Sequence, residues 1–543
     1  MAVRRMLTPS LASRRLSAVL ALLVLTGFGG SSPLPANLDA VSGTQLKRHL
    51  SFLASAELGG RYTLSAGNRI AARYLASQLE AFGYRGAAAD GSFFQKIPFV
   101  TRTGGQDSTV TLDGAPEPFV HGEDFILRDP AATLPKLSLK AELVFVGYGV
   151  AHPRTNAYAN VNVEGRIVVC LASGTPSALA GEALPENWRE QAAIEHGARA
   201  MLLLPDEKLA EGWTQAAAYA RRQSRPRVRP KTATPTNAPA LPTFLLSPAA
   251  AEATLSGFGM TLKQIHEAAK TGAELPSVAS SRQAAIHAVE NEKVEYSQNV
   301  VGILDGGDAE LKREYVVLSA HYDHLPAQGE TIFPGADDDG SGTAATLELA
   351  RVFAEGPRPK RSILILFNTG EEMGLLGSGY FADQEPLVPL EAIVANFNID
   401  MIGRSRAADD AQRENAALAD RNGVFLIGPD KHSSQLFELS KQTNDETVQL
   451  RLDYTYNDES HPLRLFYRSD HWNFAKHGIP IIFYFTGLHA DYHRPTDTVD
   501  KIDFEKMTRI TKLIYATAWR TANRERRFEL DVWKRPKPAS SSR

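Results

Sequence analysis

The chain has 543 residues, 43% of them hydrophobic, and a formal net charge of −3 at pH 7. That length suggests roughly two to four domains, and the apolar content is ample for their cores. The near-neutral charge excludes the electrostatic footprint of a nucleic-acid or anionic-membrane binder, and a single cysteine, Cys170, excludes an internal disulfide.

Residues 1–32 read as a secretory signal. Arg4, Arg5, Arg14 and Arg15 form a basic start, Leu16 to Phe28 an apolar core, and Gly29, Gly30, Ser31 and Ser32 a small-residue stretch. The apolar run is too short for a comfortable membrane span; an uncleaved anchor is the alternative. With no cysteine near a processed N-terminus, a lipoprotein anchor is excluded. An exported chain without disulfides fits a bacterial periplasm or the medium, with no stable membrane insertion once the signal is removed.

Apolar residues at helical spacing predict helices over Thr44 to Ala56 (Leu46, Leu50, Leu53) and Asn68 to Phe82 (Ala71, Leu75, Leu79), the second stopped by Gly83. Gly59-Gly60-Arg61 separates the two, and Phe93 to Phe99 alternates like a strand. From about residue 110 the texture becomes β-rich, with Ala141 to Val150 and Val163 to Val169 as strand and turn-strand segments. Gln191 to His196 reads as a helix and Gly197 to Leu204 as a glycine-led strand. Cys170 falls on Ile167-Val168-Val169-Cys170-Leu171, where it reads as a small buried hydrophobe. The stretch Arg221 to Pro242, with six basic residues among prolines, reads as a solvated loop; an anion-binding patch is the alternative. None of these segments gathers acids and bases. At Ser297 to Leu304 the first texture returns. The expected organisation is therefore a discontinuous domain of residues 33–112 and 283–530, an insertion at 113–282, and a disordered tail at 531–543.

The chemistry is concentrated between Tyr315 and Asp400. Tyr315 to Ala320 runs into His321-Tyr322-Asp323, Ser362 to Phe367 into Glu371-Glu372, and Ala392 to Ile399 into Asp400. Ile479 to Phe485 is soon followed by His489, Asp491 and His493. Near-continuous apolar strands belong in a sheet covered on both faces, and ligands collect beyond the carboxyl ends of such strands. Imidazoles and carboxylates delivered to one sheet edge suit a divalent metal such as zinc. Each piece alone is weak. His-x-Asp is common; Asp337-Asp338-Asp339 before Gly340-Ser341-Gly342 is, in isolation, an acidic loop or helix cap; Glu371-Glu372 is an ordinary charged pair. Their placement at the ends of separate strands is what makes them specific. Adjacent carboxylates diverge, so one of the two glutamates can bind metal while the other serves as a base.

These motifs, with Asn398-Ile399-Asp400-Met401-Ile402-Gly403, Arg468-Ser469-Asp470-His471 and Tyr492-His493-Arg494-Pro495-Thr496-Asp497-Thr498, resemble the two-zinc aminopeptidase family that includes bacterial secreted leucyl aminopeptidases, aminopeptidase Y and glutamate carboxypeptidases. They cover nearly all of residues 297–505. The resemblance implies an α/β fold, a mixed central β-sheet flanked by helices on both faces. Gly147-Tyr148-Gly149 and Gly165-Arg166-Ile167-Val168 make the insertion resemble a β-rich protease-associated domain.

By motif position the resemblance implies two zinc ions per chain. His321 and Asp400 would bind one, Glu372 and His493 the other, and Asp338 would bridge them. Asp323 would hold His321, and Glu371 would be the general base acting on a water activated by both ions. His489 competes with His493 for the last ligand place. Asp470, His471 and Tyr492 would line the site or act behind it, with structural hydrogen bonding as the alternative. The implied substrate is a peptide or protein N-terminus. A carboxypeptidase, a glutaminyl-cyclase-like transferase and a non-catalytic binding protein remain the alternatives on the same scaffold.

Overall fold

The computed structural model describes residues 33–104, 107–128, 136–182, 184–185, 187–220, 226–229 and 241–532. The expected signal segment, most of the basic proline-rich stretch and nearly all of the expected tail lie outside the described residues. Among those described, no helix is long and apolar enough to cross a membrane.

Two β-sheets share one strand. The 28-residue strand Ser277–Leu304 pairs through its first half with Thr109–Leu112 on one side and Lys136–Val146 on the other. Its second half pairs with Phe94–Gly104 on one side and with Ser362–Asn368 on the other. The boundary expected at residues 282–283 therefore falls inside a continuous strand. Its polar first half is only partly buried, which is why it carries no strong apolar signal.

In the larger sheet, Ser362–Asn368, Tyr315–His321, Ile393–Ile399 and Ile481–Phe485 lie side by side and parallel. Gly423–Ile427 then pairs antiparallel with Ile481–Phe485, so the sheet is mixed. Successive side chains on a strand point to opposite faces. Val316 and Leu318 join the core formed with helices Gly43–Leu53, Ala66–Ala81, Gly342–Glu355 and Phe504–Asn523. Val317, Leu364 and Leu366 face the opposite layer, with Phe381, Phe466 and Phe474. Burial on both faces explains why these strands read as near-continuous apolar runs. The helices begin where capping residues occur: Ser42 Oγ accepts from Gln45 N–H (3.4 Å) and Ser65 Oγ from Asn68 N–H (3.1 Å).

The inserted region is less purely β than its sequence texture implies. Lys136–Val146, Ile167–Leu171, Ala200–Leu204, Thr243–Leu246 and Phe125–Arg128 continue the smaller sheet in that order. Helices Trp188–Glu195, Trp213–Ala220, Pro248–Leu255 and Leu262–Lys270 accompany it. Cys170 is buried and free, its thiol pushed up to about 12 by burial. The charged loop after Arg404 is pinned at Asn415. Asn415 is buried and its Oδ1 accepts from Ala490 N–H at 2.8 Å.

Candidate metal centre

Four parallel strands end at one edge, and the candidate residues sit on or just beyond those ends. His321 closes its strand opposite Asn368, Asp400 follows Ile399, and Glu371-Glu372 lie in the turn after Asn368. The loop from Asp323 to Ser341 crosses this edge before helix Gly342–Glu355 begins.

Arg61 anchors that loop. It is buried, and its guanidinium donates to the carbonyls of Tyr322 (2.9 Å), Leu53 (2.5 Å), Pro334 (2.6 Å) and Gly335 (3.0 Å). Gly60 beside it has φ +83°, and a Cβ there would lie 2.4 Å from the Leu325 carbonyl oxygen, so the turn and loop touch backbone to backbone.

The three aspartates separate by what they accept. Asp339 Oδ1 accepts from Gly342 N–H (2.9 Å) and Met401 N–H (3.2 Å), and Oδ2 from His321 N–H (3.2 Å). Asp337 Oδ1 accepts from Gly403 N–H (2.6 Å) and the Ser341 hydroxyl (2.9 Å). Both therefore fasten backbone. Asp338 instead faces imidazoles, with Oδ1 3.3 Å from His321 Nε2 and Oδ2 3.1 Å from His493 Nε2. Asp497 holds this turn by accepting from the N–H groups of Asp337 (2.9 Å) and Asp338 (3.2 Å).

Two groups of donors meet at Asp338, which belongs to one and approaches His321 of the other. His321, Glu371 and Asp400 offer ligand atoms within 4.8 Å of one another, and so do His324, Asp338 and Glu372. In the first, His321 Nε2 is 3.6 Å from Asp400 Oδ1 and 3.9 Å from Glu371 Oε2. Beside the second, His493 Nε2 is 3.2 Å from Glu372 Oε2. The two adjacent glutamates thus diverge, one to each side. His489 points elsewhere, its Nε2 3.3 Å from Asp337 Oδ2, so the geometry favours His493 at the shared edge.

Asp323 approaches His321 through its main chain. His321 Nδ1 is 3.1 Å from the Asp323 carbonyl oxygen and 3.8 Å from Oδ1. That contact leaves His321 Nε2 facing the carboxylates, the arrangement of a metal-binding imidazole fixed through its other nitrogen. Ser469 similarly donates to Asp400 Oδ2 at 2.6 Å.

Asp470 is fully buried behind the site. Its carboxylate accepts from Asn368 Nδ2 (2.9 Å) and the Ser378 hydroxyl (2.5 Å), and burial lifts its pKa to about 6. His471 is buried too. Its Nε2 lies 2.8 Å from the Phe466 carbonyl oxygen and its ring stacks on Phe483 at 4.6 Å. Tyr492 stacks on His493 with ring centroids 3.9 Å apart.

The electrostatics suit a cation. Burial pushes the Glu371 carboxyl well above its ordinary range, aided by the charges of Glu372 and Asp400 and opposed by His321. Burial also lifts Asp323 to about 6. Asp338 Oδ2, Asp400 Oδ1, His493 Nε2 and both ring nitrogens of His324 are buried without a hydrogen-bond partner among the described residues. Burying polar atoms unpaired costs about 1–3 kcal/mol each. Such atoms converging from carboxylates and imidazoles fit the donor set of zinc. The contacts by which Arg61, Asp497 and Ser469 fasten the site were not readable from the motifs, because each joins residues distant in sequence. His324, adjacent to the His-x-Asp, was the one neighbour a motif reading could have taken up.

The profile described as Peptidase family M28 matches residues 299–518. Aminopeptidase YwaD of Bacillus subtilis is 29% identical over 239 residues, covering 42% of this chain and 46% of that protein. A probable zinc metalloprotease of Leptosphaeria maculans is 30% identical over 253 residues, covering 41% and 56%. The chain thus spans about half the length of the curated relatives it matches. Among solved structures, the aminopeptidase from Aneurinibacillus sp. strain AM-1 superposes with TM-score 0.46 at 19% identity, over 92% of this chain and 97% of that one. BSAP, a zinc aminopeptidase from Bacillus subtilis, gives TM-score 0.46 at 20% identity, over 93% and 100%.

Proposed function

We propose, from the match of residues 299–518 to the profile described as Peptidase family M28, that the chain is an exported zinc-dependent aminopeptidase with two metal positions. The observation that carries this reading is that Asp338, a member of one donor group, turns one oxygen toward His321 of the other group and one toward His493. His321 and Asp400 would hold zinc on one side, Glu372 and His493 on the other, and Asp338 would contribute one oxygen to each. When bound, zinc in such a centre acidifies a water and polarises the scissile carbonyl.

Glu371 takes the proton from the attacking water and passes it to the departing amine. Its Oε2 lies 3.9 Å from His321 Nε2, beside the donors of its group. Asp323 fixes the loop carrying this base by accepting its backbone N–H. The surplus of carboxylates around the centre favours a substrate that brings a free ammonium group, which is the basis for preferring an N-terminus. The names of the aminopeptidase relatives point the same way.

Export rests on the basic start and apolar core of residues 1–32. The insertion, residues 113–282 by its sequence texture, is proposed as a protease-associated domain.

The test is release of free amino acids from matched free and N-acetylated peptides, with metal content measured on the same preparation. Cleavage of the free-amine set alone, with about two zinc ions per chain, is expected. Cleavage of blocked peptides from the other end would replace aminopeptidase by carboxypeptidase. Bound zinc without hydrolysis of either set would overturn the catalytic reading.

A further inference from the structure

His324 is fully buried at the metal edge and is absent from the ligand set above. Neither of its ring nitrogens has a hydrogen-bond partner among the described residues. Its Nδ1 nevertheless points into the centre, 2.7 Å from Glu372 Oε1 and 3.7 Å from Asp338 Oδ2. The ring meets that of His493 edge to face, with centroids 5.7 Å apart. Behind it lies Gly335, at φ +57°, where a Cβ would come within 2.5 Å of His324 Cδ2. The ring is therefore seated against bare backbone and held facing the carboxylates.

A buried imidazole with both nitrogens unmet is unfavourable unless something else satisfies it. Solvent does not reach it, and the polar atoms nearest to Nδ1 are oxygens of Glu372 and Asp338, two carboxylates that also face His493. A cation at that point satisfies all of them at once.

We propose that His324 is a metal ligand through Nδ1, completing a four-donor set with Asp338, Glu372 and His493. This rests on the two-metal reading above and makes the two positions unequal. The other side has three donors, His321, Asp338 and Asp400, with Glu371 next to them as the base. Four protein ligands make the closed kind of zinc site, and three leave a place for water or substrate. The His324 side then retains its metal, and the His321 side exchanges it and hosts the reacting water.

The test is zinc titration of the stripped full-length protein in competition with a chromophoric chelator, joined to X-ray absorption on protein loaded with one zinc equivalent. Two unequal equivalents are expected in the wild type, with two imidazoles around the first. In His324→Ala the tight equivalent should weaken by about tenfold or more, and the weak one should be unchanged. One imidazole around the first zinc overturns the proposal and leaves His324 as a prop for Glu372, as does an unchanged titration of the variant. The absorption measurement uses wild-type protein, so a variant that fails to fold does not blunt the test. A wild type that binds no zinc overturns the two-metal reading itself, an outcome distinct from equal binding in wild type and variant.

Discussion

Asp323 Oδ1 accepts the backbone N–H of Glu371 at 3.2 Å, tying the loop after one strand to the turn after its neighbour. The same carboxylate takes the Thr63 hydroxyl on Oδ2 at 3.0 Å. The position of the base is thus set from the histidine loop. Asp323→Ala should lower kcat/KM by about 10- to 100-fold, and Asp323→Asn, which keeps an acceptor, should lose less. Steady-state kinetics on a free-amine dipeptide, with metal content checked in parallel, measures both.

Glu371→Gln removes the proton acceptor while keeping size and polarity. kcat should fall by about 10²- to 10⁴-fold. Zinc content by elemental analysis should stay at the wild-type level, because the ligand set proposed here does not include this carboxylate. Loss of metal together with activity would instead make Glu371 a ligand.

Arg61 satisfies four carbonyls from three chain segments that meet only in the fold. Arg61→Met should destabilise the protein by on the order of 3–5 kcal/mol, since the buried carbonyls lose a charged donor. Arg61→Lys should rescue little, because a single ammonium cannot span the fork of a guanidinium. Urea unfolding of the three proteins at neutral pH distinguishes these outcomes.

His471 gives a pH signature. Burial pushes its pKa down to about 3 from 6.5, and the hydrogen bond to the Phe466 carbonyl only partly opposes this. The folded state holds the ring neutral where the unfolded chain protonates it. Its contribution is full above the unfolded value and is lost as pH falls from 6.5 toward 3. Between about pH 7 and about pH 4.5, wild type should lose roughly 2–3 kcal/mol more than His471→Phe does. Denaturant midpoints at the two pH values, taken as a double difference, read this out.

Much of the larger sheet was legible because strands buried on both faces must be largely apolar, as Val316 to Leu318 and Ile363 to Phe367 are. Asp338 was singled out among three aspartates only by resemblance. In the structure its neighbours are distinguished by their backbone hydrogen bonds, which no local pattern encodes. Ser277–Leu304 escaped detection over its first twenty residues because a half-exposed strand with serine, glutamine and glutamate carries little alternation. His324 gave no signal of its own, since the same residue beside a strand end can equally be a filled core position. What marks it is the missing hydrogen bonds of its ring, and those appear only in three dimensions.

The strand Ser277–Leu304 also governs how the insertion can be edited. At about 3.3 Å per residue it is a ribbon on the order of 90 Å long, stitched into both sheets. Excising residues 113–282 as a cassette would strip the Lys136–Val146 side from its remaining Gln283–Val289 segment while Thr109–Leu112 stays on the other, leaving one row of bare peptide groups that invites neighbouring copies to add on. A shortened enzyme would need that overhang trimmed or capped with charge. Tension applied to the insertion would, in turn, travel along unbroken backbone to the strand that hydrogen-bonds Ser362–Asn368, one turn away from Glu371.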